Sequence, residues 1–419
     1  VTFGIYKAVL NFNPKSLIFA LGEELKKDEN GYTNIVILGD GGYERDGAGL
    51  IDTIMIASLD FNNNSVSLLS LPRDLYVKNK DYGNSKINGF YIYNKNKMGK
   101  EDAYKSYQEV AGDIVNMKIQ YYLRLDFNAF VEIIDNLNGI TVDVKKDIYD
   151  PYYPNKYENG HTVFKIKAGE QELDGETALK FARSRKTTSD FDRAARQQQI
   201  LMAIKNKALS TKVLTNPKTI TNLYNSVNSN INTNLTIREM IAMASFATKL
   251  DNKNIIKKVL HDDPTQDGGF LYTPERKYYG NQFVLVPFGD SFDLIHKYAK
   301  LIFHKRDVMA KNVKIEVLNG TRRGGFAGRT AIYLNKFGFN VVDTDNFKDP
   351  SGKKKYTEKT FIRYNGQKID DKGNVTMPNK DTLSLISEFI SGKYVPSSEA
   401  ESSDKVDISI VLGDDHKIK

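Results

Sequence analysis

The densest concentration of chemistry-bearing side chains is the stretch Phe181-Ala182-Arg183-Ser184-Arg185-Lys186, continued by Asp190-Phe191-Asp192-Arg193 and Arg196-Gln197. Arg183 and Arg185 stand two positions apart, so in an extended segment both guanidinium groups project from one face. Arg193, Arg196 and Gln197 stand three and four positions apart where a helix is expected to start, so they share one side of it. A helix N-terminus adds donors and partial positive charge of its own. Such a set suits a pyrophosphate, whose oxygens accept paired arginine bonds. The same run also reads as a solvated basic face pairing with Asp190 and Asp192.

Two further clusters invite chemistry. Leu71-Pro72-Arg73-Asp74 closes an apolar run, and the C-terminal end of a strand is where α/β sheets bind ligands; a plain salt bridge after a strand is the alternative. Asp40 and Asp52 flank the glycine-rich stretch Gly39-Asp40-Gly41-Gly42-Tyr43-Glu44-Arg45-Asp46-Gly47-Ala48-Gly49-Leu50-Ile51-Asp52. Two carboxylates meeting across such a loop could hold Mg²⁺, which takes one or two protein carboxylates and completes its shell with phosphate oxygens and water. Asp46 reads as a turn or cap residue. Neither a Walker loop nor a dinucleotide fingerprint occurs, so ATP binding is rejected. Asn319–Gly328 is glycine-rich without any nucleotide fingerprint and reads as a tight turn opening a helix. His161, His261, His296, His304 and His416 lack metal-ligand spacing, and no GxSxG nucleophile elbow is present.

The elements that must position these residues alternate. Ile35–Leu38, Thr53–Leu59, Ser65–Leu71, Tyr121–Leu125 and Ile140–Val144 read as strands. Ala103–Val115, the Asp126-capped Phe127–Leu137 segment, Asp174–Ala182 and Asp192–Ala208 read as helices, and residues 150–160 as a loop. The alternation predicts a layered α/β/α domain with a mixed central sheet. Residues 209–310 read as its polar, helix-prone extension. A second, small α/β domain follows over 311–419, with strands at Val313–Leu318, Phe339–Asp343 and Asp407–Leu412 and helices at Gly328–Phe337 and Thr382–Ile390. Asp345–Lys359 reads as a charged loop and Pro396–Asp404 as a linker.

Composition narrows the classes. Among 419 residues, 60 Lys+Arg against 52 Asp+Glu leave a net charge of +8, too weak a global field for bulk nucleic-acid coating. The 40% hydrophobic and 11% aromatic content excludes wholesale disorder. Zero cysteines exclude a disulfide scaffold, a thiol nucleophile and thiolate metal sites. Residues 1–30 are apolar in short runs broken by Lys7, Pro14 and Lys15, which reads as a juxtamembrane segment following an anchor upstream of Val1.

Taken in order, these stretches resemble the LytR-CpsA-Psr (LCP) family of cell-wall glycopolymer ligases. The likeness runs over residues 31–208 through Ile35–Gly39, Ile51-Asp52-Thr53, Leu69–Val77 with Pro72-Arg73-Asp74, and Lys86-Ile87-Asn88. It continues through Leu173-Asp174-Gly175, Phe181–Lys186 and Asp190–Arg193 ending in Arg196-Gln197-Gln198. Residues 313–413 resemble the LytR-type C-terminal domain, through Glu316–Gly320 and Ile410–Gly413.

The resemblance implies an envelope enzyme on the extracytoplasmic face of the plasma membrane. It would move a glycopolymer from a polyprenyl-pyrophosphate carrier to peptidoglycan with Mg²⁺ (or Mn²⁺), with no nucleic-acid partner and with pyrophosphatase activity as a potential accompaniment. By carry-over Asp52 is a metal ligand, Asp40 the second ligand, and Asp46 the fallback. Arg73, Arg183 and Arg185 grip the pyrophosphate, helped by Lys86, Arg193, Arg196 and Gln197. Asp74 orients Arg73 or acts as base. The lipid tail would lie against the Phe127–Leu137 helix, Leu123 and Leu125. Two departures stand out: Leu50 occupies a position where the family commonly has Arg, a loss that Arg45 could supply, and Asp40 follows Gly39 directly, one residue early. The readings held against this one are a non-catalytic wall-polymer binder and a nucleic-acid-binding regulator, although no helix-turn-helix pattern is present.

Overall fold

The computed structural model describes residues 25–41, 49–81, 83–155, 160–184, 190–210, 231–365, 368–369, 375–376, 379–390, 392–395 and 405–417. Arg45, Asp46, Arg185 and Lys186, most of the N-terminal segment, residues 211–230 and the linker at 396–404 lie outside them. Two compact units divide the chain, Val1–Leu260 with Tyr272–Phe292, and His261–Leu271 with Asp293–Lys419. The second unit thus takes in helix Asp293–His304, upstream of the break that the sequence places near residue 310. That helix buries Ile295, Tyr298 and Phe303, and Tyr298 Oη donates to Asp267 of the same unit at 2.7 Å.

The first unit is built on a six-stranded mixed sheet. Its strands are β1 (Thr33–Asp40), β2 (Ile51–Asp60), β3 (Ser65–Leu71), β6 (Tyr121–Asp126), β11 (Ile231–Thr233) and β12 (Ile255–Val259), in the order β11-β6-β1-β2-β3-β12. β1 pairs antiparallel with β2 and parallel with β6, and β3 pairs parallel with β12. The near-continuous apolar runs of β1, β2 and β3 follow from burial on both faces. On one face Ile35, Met55, Leu68 and Tyr121 pack with Phe246 of α6 (Ile237–Lys249) and Leu201 of α5 (Asp190–Ala208). On the other, α1 (Ile87–Met98) and α2 (Lys100–Val115) close the layer, with Tyr104 stacked on Tyr122 of β6 at 4.4 Å. The architecture is α/β/α with a mixed sheet, as expected. The capping box at Thr236 and Glu239 fixes the start of α6.

A second core of this unit lies beside the sheet. It joins α3 (Phe127–Asn136), α4 (Gly175–Arg183) and α5 to two short antiparallel ladders. One ladder pairs β7 (Ile140–Val144) with β10 (Gly169–Leu173), and the other pairs β8 (Ile148–Pro154) with β9 (His161–Ile166). The expected 150–160 loop is therefore corrected to a strand over its first half. Ile148, Asp150 and Tyr153 are buried, and Pro151 falls where the register slips between Asp150 and Tyr153. A bulge is one of the few sheet positions that tolerates proline. α4 meets α3 so closely at Gly175 that a Cβ there would sit 2.5 Å from the Val131 carbonyl oxygen.

The second unit carries a five-stranded sheet ordered Asn340–Asn346, Lys314–Asn319, Ile408–Leu412, Phe361–Tyr364 and Lys393–Val395, with the first three mutually parallel. Helices Phe326–Lys336 and Lys380–Phe389 belong to it. Among the described residues, no helix is long and apolar enough to cross a membrane.

Candidate functional site

Strand directions gather the candidate residues at one edge of the first unit's sheet. β1 ends at Asp40, β2 begins beside it, β3 ends just before Arg73, and β6 ends at Asp126, whose Cα is the register partner of Asp40. The carboxyl ends of β1, β3 and β6 therefore share this edge, the place where open α/β sheets bind ligands.

A β-bulge aims Asp52. Gly39 pairs with Thr53 and Asp40 with Ile51, so Asp52 is the extra residue on β2, outside the ladder. Bulges commonly re-aim a side chain in this way beside functional sites. The Asp52 carboxylate is 37% exposed and accepts from Arg73 Nη1 at 2.7 Å through Oδ1. Arg73 Nε stands 3.5 Å from Asp74 Oδ2, and Lys86 Nζ lies 2.8 Å from Asp74 Oδ1. The backbone fixes this row. Asn88 N, in the first turn of α1, donates to the Arg73 carbonyl, and Leu285 N donates to that of Asp74. Buried Asp74 thus holds two cations in place. At 3.5 Å the Arg73 contact is an ion pair without a hydrogen bond, whereas Lys86 is hydrogen-bonded to Asp74.

Asp40 behaves differently. It is fully buried, and the Arg124 fork closes on both of its oxygens. A metal on Asp40 would require the Arg124 fork to release an oxygen, and Asp126 Oδ2 stands 4.0 Å from Arg124 Nη1 as another partner for the guanidinium. Asp40 as second metal ligand is therefore a proposal that needs this fork to open. Among the described residues, no group of three or more His, Asp or Glu converges as a ready-made metal cage. Asp52 alone still fits Mg²⁺, which is commonly held by one carboxylate and the phosphate oxygens of a substrate.

Arg183, in the last turn of α4, reaches the same edge. Its guanidinium lies 4.2 Å from the centre of the Phe127 ring and 5.6 Å from that of Tyr153, and Nη1 donates to Tyr153 Oη at 3.4 Å. Phe127 directly follows Asp126 at the end of β6. Asp174 caps the helix that delivers Arg183 by accepting from Thr177 N at 2.8 Å, and those bonds hold its carboxyl below its ordinary value. Ser184 is buried; its Oγ donates to Asp150 Oδ2 at 2.8 Å. Arg196 is buried as well, its Nε donating to the Phe181 carbonyl at 2.9 Å and its Nη2 to that of Ser184. Burial pulls its pKa down, against the opposing pull of Asp192 and Asp150. Arg193 is buried too, and Gln197 is half-buried. A solvated basic face does not describe Arg193 or Arg196. Arg196 is tied to main chain, so it shapes the site from behind.

Comparison with known proteins fixes the family. Residues 8–282 match the LytR_cpsA_psr family, and residues 312–416 match a domain described as LytR cell envelope-related transcriptional attenuator. The chain belongs to the LytR_cpsA_psr family. Its relatives include the cell wall biosynthesis protein LcpA of Corynebacterium glutamicum, 25% identical over 359 residues, covering 78% of this chain and 66% of LcpA. Another is the polyisoprenyl-teichoic acid–peptidoglycan teichoic acid transferase TagT of Bacillus subtilis, 26% identical, covering 59% of this chain and 70% of TagT. The chain thus spans about two thirds of these relatives' length. The crystal structure of B. subtilis TagV superposes with a TM-score of 0.50 at 25% identity, covering 67% of this chain and 99% of TagV.

Within this LytR_cpsA_psr domain, Arg73, Asp74, Lys86 and Asp52 form one row at the sheet edge, and Arg183 comes to that edge on the Phe127 ring. The apolar wall expected from the Phe127–Leu137 helix, Leu123 and Leu125 does not form as one surface. Phe130 and Ile134 pack into the lateral core, while Leu123 packs into the core of the sheet face with Met240, Met243 and Leu201. Reading the sequence missed Arg124 and Asp150. The signal available for Arg124 was a lone cation inside the otherwise apolar strand run Tyr121–Leu125.

Proposed function

We propose that the first unit transfers a phosphate-linked glycopolymer from a polyprenyl-pyrophosphate carrier to a hydroxyl of peptidoglycan, at the extracytoplasmic face of the cell envelope. The observation that carries this reading is the pairing of Arg73 with the bulge-aimed Asp52 at the sheet edge where β6 leads into Phe127, the ring that Arg183 covers. Relatives described as polyisoprenyl-teichoic acid–peptidoglycan teichoic acid transferases support it. An acceptor hydroxyl attacks the sugar-side phosphorus. A new P–O bond forms there, the bond to the bridging oxygen breaks, polyprenyl phosphate departs with that oxygen, and the hydroxyl proton passes to solvent.

Arg73 and Arg183 meet the charge that grows on the phosphate oxygens, which is where most of the acceleration of such reactions originates. Asp74 and Lys86 keep Arg73 oriented, so little reorganisation is needed as charge develops. Mg²⁺ held by Asp52 would add Lewis-acid charge neutralisation at the pyrophosphate. Replacing Arg183 and Arg185 together by Ala should abolish transfer from a lipid-linked donor while leaving the circular dichroism and melting curve in place. Retained transfer would sink the assignment. Co-purified polyprenyl pyrophosphate, detected by mass spectrometry, would separate this enzyme from a wall-polymer binder without catalysis.

A further inference from the structure

We infer that the second unit binds an anionic, phosphodiester-linked glycopolymer on the rim where its parallel strands end. The loops after Lys314–Asn319, after Asn340–Asn346 and after Ile408–Leu412 all emerge at that rim, because the three strands run the same way. At its centre is Tyr356, 52% exposed, with Arg322 Cζ at 5.5 Å and Lys354 Nζ at 5.2 Å from the ring centre. Arg329, on the first turns of helix Phe326–Lys336, is exposed, its Cζ 5.8 Å from the centre of the Phe326 ring.

The charges at this rim are arranged unlike those around it. Lys348 and Lys359 are matched by Asp345 and Asp415, at 2.6 and 3.8 Å. Arg322, Arg329 and Lys354 have no carboxylate within ion-pair reach among the described residues. Unpaired like charges held together repel, which folding alone gives no reason to select. An anionic ligand would supply the missing counter-charge. A Cβ built on Gly324 or Gly328 would meet nothing within 4 Å, and no side chain caps the adjoining helix start.

The rim is also built before any ligand arrives. Arg323 stacks on Phe326 at 3.6 Å and donates to the His416 and Gly413 carbonyls at 2.9 and 3.1 Å, tying two of the loops together. The third loop is fastened by Thr357 N donating to the Gly320 carbonyl at 2.8 Å. It packs so tightly there that a Cβ on Gly320 would sit 2.6 Å from Thr357 Cγ2. Such preorganisation lowers the entropic cost of binding. An exposed phenol ring suits the apolar face of a sugar or polyol, and spaced arginines suit successive phosphates. This goes beyond the transfer reading and stands even if the first unit has another activity.

The test is equilibrium binding of the full chain to a soluble poly(glycerol phosphate) glycopolymer, at low and high salt. Arg322→Ala with Lys354→Ala should weaken binding about 10-fold, and Arg329→Ala should weaken it further. Arg322 and Arg329 are exposed and Lys354 is half-buried, and none of the three is ion-paired among the described residues, so melting should not move, and circular dichroism checks this. Lys145→Ala, at an exposed lysine of the first unit, should leave the affinity as it is. Unchanged binding by the double variant would overturn the inference. Equal binding of the same polymer stripped of its phosphates, or equally tight binding of duplex DNA at matched salt, would overturn it too.

Discussion

Both arms of the Arg124 fork close on Asp40, Nε on Oδ2 at 2.8 Å and Nη2 on Oδ1 at 2.6 Å, with the carboxylate sealed from solvent. Breaking a buried pair from one side leaves an uncompensated charge, at about 3–5 kcal/mol. Arg124→Ala should therefore lower unfolding free energy by that order, while Arg124→Leu combined with Asp40→Leu should recover most of it. Urea titration checks both. A loss within about 0.5 kcal/mol for the single variant, as at an ordinary surface site, would contradict the role given to the pair.

Asp52 should separate metal binding from folding. It stands outside the ladder and is more exposed than any other carboxylate of the row. Asp52→Ala is expected to keep the parent melting temperature without metal. It should lose the extra stabilisation that Mg²⁺ and pyrophosphate together give the parent protein. A calorimetric scan with and without both additions reads this directly, and an unchanged Mg²⁺ response would exclude Asp52 as the ligand.

Ser184 sits between the two arginines of the proposed grip, fastened by Asp150 through its hydroxyl and by Arg196 through its carbonyl. Ser184→Ala takes a donor from a buried carboxylate, a change of about 1–3 kcal/mol in stability. A purely structural role would stop there. A positioning role predicts in addition a rise in KM for the lipid-linked donor at nearly constant kcat, restored by Ser184→Thr.

The second unit should lose stability in mild acid. Burial first, and the positive charge of Arg323 next, hold the His416 imidazole below its ordinary value of 6.5. Its two ring nitrogens have no hydrogen-bond partner among the described residues. A base with a depressed folded pKa binds fewer protons folded than unfolded. Its contribution is thus complete above about pH 6.5 and is lost as pH falls through that value towards the folded pKa. Melting curves between neutral and mildly acidic pH should show the decline, and His416→Leu should flatten it. A parallel decline in the variant would place the sensitivity elsewhere.

Much of this organisation was legible in the residues. Strand Ser65–Leu71 and strand Ile140–Val144 have the bounds that their apolar patterns dictate, and Asp126 caps α3 by accepting from Ala129 N. Helix α1 was not legible. Its sequence, Ile-Asn-Gly-Phe-Tyr-Ile-Tyr-Asn-Lys-Asn-Lys-Met, mixes Gly and Asn with aromatics, and tertiary packing on the sheet decides it. The partner of Asp40 was hidden for a related reason. An aspartate at a strand end beside glycines has the composition of a metal ligand, and only the parallel pairing with β6 shows that Arg124 is its neighbour. The burial of Arg193 and Arg196 was hidden as well, because helical spacing says that two side chains share a face but not whether that face points inward.

The chain crosses between the two units three times, leaving the first at residue 260, returning at 272 and departing again after 292. The gap between the two matched regions, 283–311, invites an experimenter to cut there and express each half alone. Such scissors would miss. A fragment starting at 312 would lack both helix Asp293–His304 and the segment 261–271, leaving apolar surface bare on one piece and an orphaned helix on the other. Insolubility of separately expressed halves would then report on where the knife fell rather than on any dependence of one activity on the other.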